Sequence, residues 1–324
     1  MKKFLLYSLV AAMTVFVSLP AEVSAASGKS TGSSKQNVKT NAAARQKTAK
    51  AKQKPVASKV VAADSEFLFD KEGRLTLGSA SALVLDQMTG AALVEKNPGM
   101  ILPIASISKL MTAMVLLDSR PNMEEVISIS DADVDYLKGT RSRLPVGVSM
   151  TRDTALLLAL MSSENRAANA LARHYPGGLP AFVAAMNRKA KAMGLTQTRF
   201  EEPTGLSFNN VSTARDLSRM VMAAHQYPLI REYSTMAAAK VDMGDRVLDF
   251  TNTNALVKNP QWQIGLSKTG YISEAGRCLV MQAWVAGKPV VMVFLDSNGK
   301  MTRVGDANRV KRWMEGDTPK NTGA

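Results

Sequence analysis

Short apolar runs bounded by turn residues lie toward both ends of the chain. The segment SASALVLDQMTGAALVEKN (79–97) has two apolar runs joined by a Met-Thr-Gly turn, which predicts a hairpin. Far downstream, WQIGLSKTGYI, RCLVMQAWVAG and KPVVMVFLDS predict three more strands, and a tight glycine-containing turn joins the last two. A closing helix is predicted over roughly Arg303–Met314.

Helical spacing of apolar residues dominates the middle of the chain. It is present in TALLLALMSSENRAANALARHY, PAFVAAMNRKAKAMGL and TARDLSRMVMAAHQY. Thr213 and Asp216 form an N-terminal capping pattern in the last of these segments. Strands at both ends and helices between them predict an α+β fold, in which one antiparallel sheet built from both termini is flanked by helices, with an all-helical insertion packed beside it.

One predicted helix contains a charge that its surroundings do not explain. In PIASISKLMTAMVLL (103–117), Lys109 is the only charged residue between Lys96 and Asp118. Taking an ammonium group out of water is costly unless the group is paired or neutralised. The position of Lys109 therefore calls for a specific role.

Ser106 supplies a candidate role because it lies three residues before Lys109, on the same face of the predicted helix. Pro103 suits a first helical turn, which would place Ser106 near the positive end of the helix dipole. A serine hydroxyl is a weak nucleophile until a base takes its proton, and a lysine whose pKa is lowered by burial or by a second cation is such a base. Ser108 is rotated by about 100° from the lysine face and is the weaker candidate.

Two later motifs indicate an enzyme class only in combination with Ser-x-x-Lys. SEN (163–165) follows the apolar helix TALLLALM and alone is an ordinary helix cap. KTG (268–270) lies in a predicted strand and alone is an edge strand with a protective lysine and a bulge glycine. In this order the three motifs form the set typical of penicillin-recognising serine hydrolases.

The patterns of other hydrolytic and cofactor-dependent enzymes are absent from the sequence. There is no Gly-x-Ser-x-Gly elbow, HExxH motif, Walker loop or dinucleotide fingerprint. His174 and His225 fall at predicted helix ends, where an imidazole interacts favourably with the dipole, so we assign them structural roles. Cys278 is the only cysteine and lies in an apolar run, which predicts a buried core thiol and excludes an intramolecular disulfide.

Residues 1–25 have the pattern of a secretory signal peptide. Lys2 and Lys3 precede an apolar stretch from Phe4 to Leu19, and Val-Ser-Ala at 23–25 suits cleavage. The apolar stretch is short for a bilayer span of about 20 residues, although an uncleaved anchor is the alternative. We therefore expect an exported mature protein with no stable membrane anchor.

Most of the formal charge of +14 comes from one segment. Eight Lys and one Arg, with no acidic residue, lie between Glu22 and Asp64, so residues 26–60 are expected to form a basic disordered linker. It is either a solubilising tether or a segment weakly attracted to anionic envelope polymers. Since the remainder is only mildly basic, no nucleic-acid partner is expected. The catalytic domain is predicted over 61–316, with a short C-terminal tail at 317–324.

The whole set resembles the serine D-Ala-D-Ala carboxypeptidase family of low-molecular-mass penicillin-binding proteins. The resemblance spans about Ser79 to Met314 and rests on SISK, SEN and KTG, with EPTGLSFNNVSTARDL between the last two motifs. LALMSSENRAANALARHYPGG and EPTGLS point to its endopeptidase branch. The resemblance implies a DD-peptidase/β-lactamase-like fold, with a five-stranded antiparallel sheet and an active site between the sheet and the helical lobe.

The resemblance also implies roles for the residues of the first two motifs. Ser106 would be the nucleophile and Lys109 its general base. Ser163 would relay the proton toward the leaving amine, and Asn165 would hydrogen-bond the substrate backbone.

The third motif is implied to bind substrate. Lys268 would help lower the pKa of the motif-one lysine and attract substrate anions, while Thr269 would offer its hydroxyl to a substrate carboxylate or carbonyl. Gly270 would allow a peptide to add along the strand edge. The backbone N–H groups of Ser106 and Tyr271 would form the oxyanion hole.

The implied reaction is acyl transfer through Ser106 that cuts D-alanyl cross-links between the peptide stems of peptidoglycan in the periplasm. β-Lactams would acylate the same serine, and no metal or organic cofactor is implied. A D,D-carboxypeptidase is the main alternative, although many such relatives carry a further C-terminal domain and an amphipathic anchor where here only EGDTPKNTGA follows the last predicted helix. A serine β-lactamase using Glu202 for deacylation, or a non-catalytic wall-binding protein, is a more distant alternative.

Overall fold

The structure is a computed structural model that describes residues 75–244 and 246–316. The predicted signal peptide (1–25), the basic linker (26–60) and the C-terminal tail (317–324) lie outside these residues. The described residues form strands β1 to β11 and helices α1 to α7, numbered in chain order.

Five strands form one antiparallel sheet in the order β2-β1-β11-β10-β9. These strands are β1 (Ser79–Asp86), β2 (Ala92–Lys96), β9 (Gln263–Ile272), β10 (Gly276–Val285) and β11 (Lys288–Ser297). The α+β fold predicted from the sequence is confirmed, because the two N-terminal strands pair with the three C-terminal strands in a single sheet.

The helices cover both faces of this sheet. They are α1 (Lys109–Asp118), α2 (Arg152–Met161), α3 (Asn165–Arg173), α4 (Gly178–Ala192), α5 (Ala214–Ala224), α6 (Pro228–Thr235) and α7 (Thr302–Met314). Helix α7 packs on one face, against β1, β10 and β11, and the other helices form a lobe on the opposite face. None of the helices in the described part of the chain is long and apolar enough to span a bilayer.

Strand β11 shows why the sheet is buried on both sides. Val291, Val293 and Leu295 belong to the core shared with the helical lobe. Met292 and Phe294 alternate with them and belong to the smaller core beneath α7. Because successive side chains of a strand point to opposite faces, a continuous apolar run fills both cores at once.

The helical insertion also contains three short two-stranded ribbons that the hydrophobic pattern does not predict. The ribbons pair β3 (Leu102–Pro103) with β6 (Val211–Ser212), β4 (Val126–Ser128) with β5 (Ser149–Thr151), and β7 (Ala238–Asp242) with β8 (Val247–Thr251). The placement of Pro103 in a first helical turn is wrong, since this residue pairs with Val211 and the α-helix begins six residues later. A 3-10 turn over Ala105–Ser108 connects the two elements.

Strand β9 is the edge of the sheet, and its open side faces the 3-10 turn. A Cβ atom at Gly270 would lie 2.9 Å from the carbonyl oxygen of Ile104 and 3.0 Å from the amide nitrogen of Ser106. A side chain at this position would therefore clash with the turn. Glycine is what lets the sheet edge approach the turn that carries Ser106.

Candidate active site

Ser106 lies in the 3-10 turn that leads directly into α1, next to a residue with unusual backbone geometry. Ala105 has φ of +48°, a conformation that L-residues with a Cβ rarely adopt. Such strain persists only where the surroundings fix the backbone, and it is concentrated at functional sites. The turn ends where α1 begins, and Lys109 is the first residue of that helix. Its Nζ donates a hydrogen bond to Ser106 Oγ at 2.8 Å.

The amine of Lys109 has two further acceptors and almost no contact with water. Its Nζ donates to Asn165 Oδ1 at 2.7 Å and to the carbonyl of Thr204 at 2.6 Å, and the residue is 1% exposed. Burial lowers the pKa of Lys109 to about 7, against the opposing effect of the Glu202 and Glu164 carboxylates. A substantial fraction of the amine is therefore neutral near pH 7, and it lies beside a serine hydroxyl whose proton it can take.

A second lysine–serine pair lies across the cleft from the first. Lys268 Nζ donates to Ser163 Oγ at 2.8 Å and to the Thr269 carbonyl at 3.1 Å. Burial, followed by the positive charges of Lys109 and Arg303, holds the pKa of Lys268 well below its ordinary value. Repulsion between two cations disfavours the charged form of both, so the predicted contribution of Lys268 to the lowered pKa of Lys109 stays a prediction beside the larger effect of burial.

Ser163 also has a backbone conformation that is rare for a residue with a side chain. Its φ is +62°, at the point where the chain leaves α2 and enters α3. The sharp reversal between these two helices places the Ser163 hydroxyl beside one lysine and Asn165, two residues later, beside the other. A single short turn thereby contacts both amines of the cleft.

The loop after the fourth helix is folded around the carboxylate of Glu202. This carboxylate accepts hydrogen bonds from the backbone N–H groups of Thr204 and Gly205, both at 2.6 Å, and of Ser207 at 3.3 Å. It also accepts from Thr204 Oγ1 at 2.5 Å and from Asn210 Nδ2 at 3.2 Å. The loop so formed directs the Thr204 carbonyl at the general-base candidate. A carboxylate committed to five donors in its own loop is poorly suited to activate the deacylating water of the β-lactamase alternative.

Both polar atoms of the Asn165 amide have partners within the protein. Its Oδ1 accepts from Lys109, while its Nδ2 donates to Thr140 Oγ1 at 3.1 Å. Thr269 Oγ1 likewise donates to Thr253 Oγ1 at 2.7 Å. The predicted contacts of Asn165 and Thr269 with substrate stay predictions. A bound peptide would have to replace their present hydrogen-bond partners, Thr140 and Thr253.

At the end of β9 beyond Gly270, one side chain is open to solvent. Tyr271 is 57% exposed, and the guanidinium of Arg277 stacks 4.5 Å from its ring centroid. Arg303 fixes the strand from the protected side, where its Nη1 donates to the carbonyls of Gly270 and Cys278 at 2.8 and 3.1 Å. The free edge of β9 is therefore accessible to an extended peptide, while hydrogen bonds from Arg303 fix the position of the strand.

Comparison with known proteins places this geometry in a family. Residues 69–299 match the family model described as D-alanyl-D-alanine carboxypeptidase, which covers more than half of the chain. The chain belongs to the D-alanyl-D-alanine carboxypeptidase family.

Individual members of the family are similar over most of their length. A D-alanyl-D-alanine endopeptidase from Pseudomonas aeruginosa is 52% identical over 241 residues, which is 74% of this chain and 78% of that protein. One from Escherichia coli is 47% identical with the same coverage of both chains. The crystal structure of a DD-transpeptidase from Streptomyces superposes with a TM-score of 0.69 at 27% identity, covering 75% of this chain and 98% of that one.

In this member of the D-alanyl-D-alanine carboxypeptidase family, the three predicted motifs meet in one cleft. Hydrogen bonds join Ser106, Lys109 and Asn165 in one group and Ser163, Lys268 and Thr269 in a second. Gly270 lies against the nucleophile turn, and Tyr271 follows it along the strand. The structure therefore brings together every residue that the sequence analysis placed in the site.

Four residues were judged poorer candidates for catalysis, namely His174, His225, Cys278 and Ser108. His174 and His225 follow the last residues of α3 and α5, and burial lowers the pKa of both imidazoles. Burial raises the pKa of the Cys278 thiol to about 11, as expected for an unreactive core cysteine. Ser108 is fully buried, with its Oγ donating to the Ala105 carbonyl and accepting from Asn210 Nδ2.

The sequence did not reveal the supporting roles of the groups that hold the motif residues. Thr204 contributes a backbone carbonyl, Glu202 folds the loop that carries it, and Thr140 and Thr253 bind motif side chains. The EPTGLS segment was recognised as a marker of the endopeptidase branch, but no contact was assigned to it. Its string of a carboxylate, a hydroxyl and a glycine within four residues was the available signal for a tightly folded loop.

Proposed function

We propose that this chain is an exported serine D,D-endopeptidase that cleaves D-alanyl cross-links in peptidoglycan through an acyl-enzyme on Ser106. The observation that carries the proposal is the 2.8 Å hydrogen bond between Lys109 Nζ and Ser106 Oγ, within a cleft where burial lowers the lysine pKa to about 7. The endopeptidase names of the Pseudomonas and Escherichia relatives support this activity over terminal trimming.

The first half of the proposed reaction forms the acyl-enzyme. Neutral Lys109 takes the proton of Ser106, and Oγ attacks the carbonyl carbon of a D-alanine in the cross-link. The backbone N–H groups of Ser106 and Tyr271 are proposed to stabilise the resulting oxyanion. Each such donor contributes about 3 kcal/mol of transition-state stabilisation.

The second half expels the amine and releases the acyl group. The proton that Lys109 has taken from Ser106 must pass to the leaving amine, which returns Lys109 to its neutral form. The Ser163 hydroxyl, 2.8 Å from Lys268 Nζ, is proposed to relay this proton. Water then attacks the ester, with Lys109 again taking the proton. A β-lactam would acylate Ser106 in the same way, and its opened ring would keep the amine attached to the acyl group.

The substrate is proposed to bind as an additional strand. An extended peptide adding to the free edge of β9 would run past Gly270, where the strand and the nucleophile turn are in contact. Thr269 is proposed to contact a carboxylate or carbonyl on the leaving side of the peptide. The acyl side would then run toward Tyr271 and the following turn.

The proposed location is the periplasm, where peptidoglycan lies. The predicted signal peptide (1–25) would export the chain, and the basic linker (26–60) would act as a tether. We propose no nucleic-acid partner, since the charge is concentrated in the linker, and no stable membrane anchor.

Parallel digestion of purified cross-linked and uncross-linked muropeptides tests the proposal. We expect loss of cross-linked dimers with the wild-type protein and no cleavage with Ser106→Ala. Release of terminal D-alanine while cross-links stay intact would favour the carboxypeptidase alternative. Rapid hydrolysis of penicillin, in place of a persistent adduct, would favour the β-lactamase alternative.

Labelling with a fluorescent penicillin tests the nucleophile independently of the natural substrate. The covalent band is expected in the wild type and absent in Ser106→Ala. Ser108→Ala is the matched control, because its hydroxyl lies two residues away but is buried against Ala105 and Asn210. A band that survives in Ser106→Ala and is lost in Ser108→Ala would show that Ser108, and not Ser106, is the nucleophile.

A further inference from the structure

Lys138 links three separate segments at the entrance of the cleft. It lies in the loop between β4 and β5, and its Nζ forms an ion pair with Glu274 in the turn between β9 and β10. The same Nζ lies 6.0 Å from the ring centroid of Phe208, in the loop that follows Glu202. None of the proposed catalytic steps uses this lysine.

A cavity of about 370 Å³ opens beside Lys138. Its lining includes the apolar side chains of Leu137, Leu206 and Phe208. Leu137 and Phe208 are 68% and 52% exposed and lie in the same lining, so a ligand in the cavity would cover apolar surface that is now open to water. The volume and the apolar lining of this cavity are therefore suited to binding one or two residues of a peptide.

The cavity adjoins the nucleophile through the loop that forms one of its walls. Leu206 in this wall follows Gly205, and a Cβ atom at Gly205 would lie 2.7 Å from the Ser106 amide nitrogen. On the opposite wall, the Lys138 loop is tied to the site by the hydrogen bond from Asn165 Nδ2 to Thr140 Oγ1. Both walls thus contact residues of the proposed catalytic site.

The backbone of Lys138 is fixed, whereas its ion pair is open to exchange. Asp135 accepts hydrogen bonds from the backbone N–H groups of Leu137, Lys138 and Thr140, each at 2.9 Å. By contrast, the Lys138 and Glu274 side chains are 25% and 38% exposed. Ion pairs with this exposure contribute little to stability, so replacement of Glu274 by another carboxylate costs little.

Charge in the cavity favours an anion at the Lys138 end. Glu201 and Glu202 also line the cavity, but the Glu201 carboxylate is bound by Ser207 Oγ and Asn209 Nδ2, and the Glu202 carboxylate is bound by the donors of its own loop. Lys138 is the cationic side chain in the lining, and its present partner is a carboxylate that belongs to the protein. A ligand carboxylate would find the same amine above the same aromatic ring.

We propose that Lys138 is a specificity-determining residue that binds a carboxylate of the peptide substrate in this cavity, with Glu274 occupying its place when the cleft is empty. The proposal rests on the function proposed above, in which the acyl side of the peptide runs along β9 toward the turn that carries Glu274. The substrate class it names is a D-alanyl peptide with a side-chain carboxylate on the residue before the attacked D-alanine.

The test compares two synthetic cross-linked D-alanyl peptides that differ only in the residue before the attacked D-alanine. The side chain of this residue ends in a free carboxylate in one peptide and in a carboxamide in the other. For the wild type we expect kcat/KM to favour the carboxylate by about three- to tenfold. Lys138→Met should remove the preference by lowering kcat/KM for the carboxylate peptide alone. Glu274→Gln should increase the preference, because the internal competitor loses its charge.

Lys189→Met is the matched control. Lys189 also pairs with a carboxylate, that of Asp118, and lies 5.6 Å from the Tyr227 ring centroid, with 20% of its side chain exposed. It contacts the C-terminal end of α1, which is nine residues from Lys109 and about 13 Å along the helix axis. This variant should keep the wild-type preference.

Fluorescent penicillin labelling of every variant separates the two proposals. A preference that persists in Lys138→Met, or an equal loss of kcat/KM on both peptides, overturns the role of Lys138 when Ser106 still labels. Failure of Ser106 to label in the wild-type protein would instead overturn the proposed function.

Discussion

The backbone of Gly205 lies against the carbonyl of Ala105, the residue immediately before the proposed nucleophile. A Cβ atom at Gly205 would lie 1.9 Å from the Ala105 carbonyl oxygen, far inside contact distance. Gly205 also has φ of +86°, which favours glycine for a second reason. The Glu202 loop and the nucleophile turn are therefore fitted to each other without room for a methyl group.

Gly205→Ala is expected to lower the rate of penicillin acylation by at least about 100-fold, since a misplacement of 1 Å at reacting groups has an effect of this size. The clash displaces the Ser106 turn, the Thr204 carbonyl or both. Stopped-flow acylation kinetics measure the effect. Gly194→Ala is the control, because Gly194 has φ of +68° but open space around its Cβ position. The control should lose about 1 kcal/mol of stability and keep its acylation rate.

Glu202→Gln is expected to slow acylation and leave the lifetime of the penicillin adduct unchanged. The amide accepts fewer hydrogen bonds than the carboxylate, so the loop that directs the Thr204 carbonyl loosens at a cost of about 1–3 kcal/mol. The midpoint of the acylation pH profile should also move to lower pH. Burial lowers the pKa of Lys109, and Glu202 opposes this shift, so removing its charge lowers the pKa further.

Acylation and deacylation rates measured separately for this variant distinguish the two roles of Glu202. A β-lactamase-like role would instead leave acylation intact and prolong the adduct. Glu124→Gln, an exposed carboxylate outside the site, is the control and should match the wild type in both rates.

Lys109→Met is expected to change how stability depends on pH. Burial lowers the pKa of Lys109 from its ordinary value of 10.5 to about 7, so between these values the unfolded chain holds a proton that the folded protein lacks. The free energy of unfolding of the wild type therefore rises with pH in this window by about 1.4 kcal/mol per pH unit from this group. Below pH 7 both states are protonated, and the contribution to the slope vanishes.

Denaturant unfolding of wild type and Lys109→Met across pH 6 to 11 measures this contribution as a difference, in which the titrating groups that do not interact with Lys109 cancel. We expect the difference to change between pH 7 and 10.5 and to be flat below pH 7. Parallel stability curves for the two proteins throughout this range would show that Lys109 titrates normally in the fold.

The catalytic core of the site could be predicted from sequence because its central relationship is local. Ser106 and Lys109 are three residues apart in a segment that is otherwise apolar, so the anomaly and its partner are visible together. The sheet was predictable for a similar reason, since each of its strands contains a short apolar run bounded by turn residues. SEN and KTG, by contrast, could be assigned to the site only because their order after Ser-x-x-Lys matches that of penicillin-recognising serine hydrolases.

The remaining contacts were not predictable because they depend on backbone conformation and on distant parts of the chain. The acceptor that Thr204 offers is a backbone carbonyl, which every residue has, and only the folded loop directs it at Lys109. Lys138 and Glu274 are 136 residues apart. The ribbon of β3 and β6 has strands of two residues, too short for any periodicity to be detected.

The central claim is that a neutral, buried Lys109 takes the proton of Ser106. The pH dependence of the second-order rate of penicillin acylation, measured on the intact protein from pH 5 to 10, tests it most directly. We expect the rate to rise with pH and to level off above a midpoint near the Lys109 pKa of about 7. A rate that is independent of pH, or that rises only near the ordinary lysine pKa of 10.5, would contradict the account.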